Sequence, residues 1–95
     1  MFEINGEIWY LMFVSPGDPN LRRSDGSITI GMCDDDVKVI YLDNTLDSAL
    51  TRKVLTHEIT HAAMFSYNID LTPAQEELMA RLIDTFGQEI VGITN

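Results

Sequence analysis

The chain has only two histidines, His57 and His61, set four residues apart with Glu58 directly after the first. On a helix, residues i and i+4 share a face one turn apart, so two imidazoles at this spacing can grip one metal ion. Glu58, about 100° further round the helix, can reach a water molecule beside that ion. This H-E-x-x-H pattern constrains the fold more than any other segment. A helix must carry it, and another element must fold back to supply a third ligand.

The rest of the chain sets the scale. Its 95 residues are enough for a single domain, residues 1–95, with a modest core. A hydrophobic content of 45% is that of a globular chain rather than a disordered one. In so small a core a bound ion contributes to stability as well as chemistry. The formal net charge of −9 disfavours nucleic-acid phosphates and anionic membrane surfaces as partners. The lone Cys33 cannot form an internal disulfide and is followed by Asp34-Asp35-Asp36, so it reads as a packing residue rather than a reactive thiol. No basic start with an apolar run marks a signal peptide, and no apolar stretch is long enough to span a bilayer, so a cytoplasmic protein is expected.

Strand signals come first along the chain. Phe2–Ile4 and Glu7–Val14 flank Asn5-Gly6, a hairpin dipeptide. The second run is apolar almost throughout, which predicts a strand covered on both faces. Residues 15–26 carry two of the three prolines and every loop signal, and read as a surface connection or rim. Ser27–Cys33 and Val37–Leu42 read as two more strands around an aspartate turn. The aspartates lack the alternating ligands, glycine and distal glutamate of a calcium loop. Asp43-Asn44-Thr45 supplies capping side chains for a helix from Leu46 to about Ser66, which Asn68-Ile69-Asp70 ends. Thr72 and Pro73 then start a second helix, Gln75 completes a capping box, and the helix runs to about Val91. Its Leu78, Met79, Leu82, Ile83, Phe86 and Ile90 share one face. The expected architecture is α+β: a small, mostly antiparallel sheet of three to four strands followed by two packed helices.

The helix wheel of residues 46–66 places Leu55, Ile59 and Ala62 on one side and the histidines on the other, between Leu50, Val54 and Met64. The simplest packing sets the first group on the sheet and turns the histidines toward the second helix. With no third histidine and no second cysteine, the remaining ligand is a carboxylate, Glu76 or Glu77 at the start of that helix. Periodicity favours Glu76, which lies about 70° from the centre of the apolar stripe, whereas Glu77 is almost opposite it. In a first turn the metal rather than the core would dictate the facing, so both remain open.

The run from Val54 to Ala62, which contains His57-Glu58-Ile59-Thr60-His61, is followed by the run from Leu71 to Ala80, which contains Gln75-Glu76-Glu77. Together with the strand pair Gly31–Asp34 and Lys38–Leu42, they resemble the very small gluzincin-type H-E-x-x-H zinc metallopeptidases, a minigluzincin-like, phage- and prophage-type group with a zincin-like minimal domain. The resemblance covers roughly residues 27–91 and places the family's glutamate ligand on Glu77. It implies one zinc ion held by His57, His61 and Glu77, a peptide or protein substrate, and Glu58 as the base that takes a proton from water and passes it to the leaving nitrogen. One of the strands Val37–Leu42 or Ile28–Met32 would pair with an extended substrate. Two further roles lack a clear occupant. Tyr10, Tyr41, Tyr67 and Arg81 are all available to stabilise an oxyanion, and Asp84, seven residues after Glu77, is a guess for the carboxylate that orients a histidine. The rival expectation is a zinc-binding interaction or regulatory module with little peptidase activity, against which the intact Glu58 argues.

Overall fold

The computed structural model describes the backbone of residues 1–94 and the side chains of residues 1–87. Six main elements follow one another: β1 (Phe2–Ile4), β2 (Glu7–Val14), β3 (Gly31–Asp34), β4 (Val39–Asp43), α1 (Ser48–Ser66) and α2 (Pro73–Thr94). The fold is α+β, a four-stranded mixed sheet followed by two packed helices, with strand order β1-β2-β4-β3. β1–β2 and β3–β4 are antiparallel, and β2–β4 is parallel. The parallel pair places β4 inside the sheet, so Val37–Leu42 has no free edge to offer a substrate. β3 is an edge strand.

Local chemistry explains the element boundaries. Asn5 and Gly6 both adopt positive φ, 49° and 78°, as a two-residue turn between twisted strands requires. The third and fourth strands are later and shorter than periodicity suggests. The Asp34 side chain accepts from the Asp36 N–H, and Val37 and Lys38 belong to the turn before β4. Helix α1 is capped by Asp47, whose carboxylate accepts from the Leu50 N–H, and not by residues 43–45. Asp43 instead accepts from the N–H and hydroxyl of Thr45 in its own turn. At the other end Asn68 takes φ 53°, and the N–H groups of Asn68 and Ile69 donate to Phe65 and Met64, a Schellman stop. The capping box of α2 forms as expected, with Gln75 N–H donating to Thr72 Oγ1 and Thr72 N–H donating to Gln75 Oε1.

The core lies between the sheet and α1. Trp9, Ile40, Leu42 and Ala62 are fully buried, with Val54, Leu55 and Ile59 packed against them. The indole N–H of Trp9 donates to Ser66 Oγ, and Asn5 donates to the Ser66 carbonyl, tying the hairpin to the end of α1. Gly31 permits a close approach of β3. A Cβ at this position would sit 2.5 Å from Val54 Cγ1 and 3.3 Å from Glu58 Cγ.

Two expectations about coverage need correction. β2 is not covered on both faces: Ile8, Tyr10 and Met12 are exposed on the side away from α1, because no helix among the described residues covers that face. The loop after β2 is more than a connection, since its short 3-10 turn, Pro19–Leu21, buries Leu21 completely against Val39 and Tyr41 on that same face. Helix α2 packs on α1 with its small and acidic side, where Ala80 is fully buried. Its apolar stripe points outward: Leu78, Met79, Leu82, Ile83 and Phe86 are exposed, Leu78 to 60%. Ile90, assigned to the same stripe, lies outside the described side chains. Among the described residues no helix is long and apolar enough to cross a membrane.

Candidate metal centre

His57 and His61 project from one face of α1 toward the first turns of α2, as the wheel predicts. Each imidazole is held from behind by a carboxylate. His57 Nδ1 lies 2.7 Å from Asp84 Oδ2, and His61 Nδ1 lies 2.6 Å from Glu76 Oε1. A carboxylate accepts and does not donate, so the ring proton of each neutral imidazole belongs on Nδ1. The Nε2 lone pairs are then left pointing into the same space, 3.3 Å apart.

Glu77 completes this arrangement. Its Oε1 lies 2.9 Å from His61 Nε2 and its Oε2 lies 3.5 Å from His57 Nε2. With both rings neutral and their protons on Nδ1, three electron-pair donors converge here, an arrangement that a cation between them would satisfy. Tetrahedral ligands at zinc-like bond lengths of about 2.0–2.1 Å are about 3.3 Å from one another. The 3.3 Å between the two Nε2 atoms equals that value. The His57–His61–Glu77 group can hold a metal ion, since one ligand atom from each lies within 4.8 Å of the others.

The adjacent glutamates divide two tasks. Glu77 faces the shared Nε2 space, whereas Glu76, the alternative ligand, sits behind His61. Asp84 is the matching support for His57, and it is in turn held by Lys53 Nζ at 2.6 Å and by the Thr85 hydroxyl. Burial would raise the Asp84 carboxyl, but the hydrogen bonds from Lys53, His57 and Thr85 carry it below the usual carboxylate value. Its sequence signal is weak but physical: seven residues beyond Glu77 is almost two full turns, hence nearly the same face.

Glu58 is buried, with 7% exposure, and lies under Gly31 at the wall of a cavity of about 560 Å³ that also contains His57, His61 and Glu77. Burial pushes its carboxyl above the ordinary carboxylate value, and the neighbouring His61 and His57 offset only part of that rise. Ile30, Met32, Leu50 and Phe65 give the same cavity apolar walls. Cys33 also lines it, and burial pushes its thiol far up, in keeping with a packing role.

None of Tyr10, Tyr41, Tyr67 and Arg81 lines this cavity. Tyr41 is buried beside Leu21 on the opposite face of the sheet, and Tyr67 is the exposed C-cap of α1. Arg23, from the loop before β3, does line the cavity. Periodicity could not have found it, because its position depends on how the loop closes. Compared with protein families, with curated proteins and with solved structures, the chain matches none.

Proposed function

We propose that this chain is a zinc-dependent peptidase of the very small gluzincin type, hydrolysing peptide bonds with Glu58 as general base. The observation that carries this reading is that one ligand atom each from His57, His61 and Glu77 lie within 4.8 Å of one another beside the buried Glu58. Two imidazoles and one carboxylate suit zinc, and three protein ligands leave a position open, which distinguishes a catalytic from a structural site. Zinc held there supplies the Lewis acidity that polarises a carbonyl and makes water a usable nucleophile near neutral pH.

The protein's own groups do the rest. Glu58 takes the proton of the attacking water and returns it to the leaving nitrogen, and its raised proton affinity suits both transfers. Asp84 and Glu76 hold the rings so that both Nε2 atoms stay aimed inward. The outer edge of β3 lies beside the site and, among the described residues, has no backbone partner, so an extended peptide can pair with Gly31–Asp34.

A second reading, a zinc-binding interaction module, draws support from the outward apolar stripe of α2. Metal analysis and a peptide-library assay separate the two. One equivalent of zinc in protein purified without added metal, with cleavage lost in Glu58→Gln, is the result expected of the peptidase. Zinc without cleavage by either protein favours the module, and the absence of bound metal overturns both.

A further inference from the structure

The cavity wall carries two cations, and only one is committed. Lys53 is held by Asp84 and Thr85. Arg23 enters none of the ion pairs formed among the described residues. Its backbone is nevertheless firmly placed. Leu21 anchors the loop by complete burial, Arg22 bridges to Ile28, and the Thr29 N–H donates to the Leu21 carbonyl. The Arg23 N–H donates to the Ser27 carbonyl, and the Gly26 N–H donates back to the Arg23 carbonyl at 2.9 Å, with Gly26 at φ 88°. The Asp25 carboxylate locks the turn through the N–H and hydroxyl of Ser27. A short anchored hairpin thus brings Arg23, exposed and in no ion pair among the described residues, to the wall of the cavity that holds Glu58, His57, His61 and Glu77.

Four carboxylates, Glu58, Glu76, Glu77 and Asp84, make this region hostile to a second anion. A carbonyl under attack becomes one. We propose that Arg23 is the catalytic residue that receives the substrate's developing oxyanion, an inference that rests on the peptidase reading. As the water oxygen bonds to the carbonyl carbon, the C=O π pair moves onto oxygen and the water proton passes to Glu58. The Arg23 guanidinium donates to that oxygen. When the C–N bond breaks, the pair returns to re-form C=O and Glu58 hands its proton to the leaving nitrogen.

The test compares the parent, Arg23→Ala, Arg23→Lys and, as a control on the neighbouring side chain, Arg22→Ala, all zinc-loaded. Two quantities are measured: kcat and KM on a cleaved peptide, and calorimetric affinity for a phosphonamidate peptide, whose anionic oxygens imitate the tetrahedral intermediate. Arg23→Ala is expected to lower kcat on the order of 100-fold with KM little changed. It should weaken the phosphonamidate at unchanged metal content and Tm, and Arg23→Lys should recover part of both losses. Arg22→Ala should behave as the parent. Equal kcat in Arg23→Ala and parent, or a loss confined to KM, overturns the assignment and leaves the peptidase standing. A parent that cleaves nothing but binds the phosphonamidate through Arg23 overturns the peptidase and retains Arg23 as the anion contact. A parent that neither cleaves nor binds overturns both.

Discussion

Glu76 Oε1 lies 2.6 Å from His61 Nδ1, whereas Glu77 Oε1 lies 2.9 Å from Nε2 of the same ring. Two consecutive glutamates thus grip opposite edges of one imidazole, one behind it and one in front. Substitution should separate them. Glu77→Ala removes a donor and should abolish tight metal binding. Glu76→Ala removes only the support and should weaken metal affinity about 10- to 100-fold. Chelator competition reads both, and equal losses would contradict the division of roles.

Asp84 joins His57 to Lys53, so it supports a ligand and also fastens α2 to α1. Asp84→Ala should weaken metal affinity by about 10- to 100-fold, like Glu76→Ala, and should also lower Tm in the metal-free protein. Lys53→Met breaks only the more exposed half of this link, and its effect on metal affinity should be far smaller. A Lys53→Met variant as impaired as Asp84→Ala would mean that the lysine, not the carboxylate, governs the site.

Removing metal should loosen α2 before the sheet. The inner side of α2 meets α1 through Glu76, Glu77 and Asp84, with the small Ala80 between them, rather than through its large apolar residues. Free metal at about 1,000 times Kd adds roughly 4 kcal/mol to stability. A chelator should therefore lower Tm and speed amide exchange in residues 73–87 more than in β2 and β4. Uniform exchange across both regions would show that packing, not metal, holds the helix.

Gly31→Ala should be destabilising by about 1–3 kcal/mol, because the added methyl meets the stiff, branched Val54 side chain at 2.5 Å. The strand must move away from α1 or Val54 must shift, and either displaces the wall over Glu58. Chemical denaturation gives the stability, and peptide cleavage should fall more than metal content. Full activity and stability in this variant would show that β3 need not lie so close.

Motifs governed by neighbours in sequence could be read directly. Asn5-Gly6, the Thr72–Gln75 box and the shared face of His57 and His61 depend on local geometry, and each forms as its residues dictate. Features set by closure could not. The wheel identifies an apolar stripe on α2, but not what lies opposite it, and here the side bearing Glu76, Glu77 and Asp84 wins the contact with α1. The run of apolar residues in β2 suggests burial on both sides, yet the helices among the described residues cover one side of it. The parallel pairing of β2 with β4 likewise decides which strand keeps a free edge. Arg23 reaches the cavity only because Leu21, distant from it in character and close in sequence, is buried beneath the sheet.

The Thr72–Gln75 box ends immediately before Glu76, and this proximity makes the two inter-helix segments unequal in their tolerance of length change. A residue added between Asn68 and Thr72 lengthens a tether, leaving the cap free to start the helix at the same rotational setting. A residue added between Gln75 and Glu76 turns everything beyond it by about 100°, carrying both glutamates and Asp84 away from their rings together. Length variation among related chains should therefore accumulate on one side of this cap and be excluded from the other.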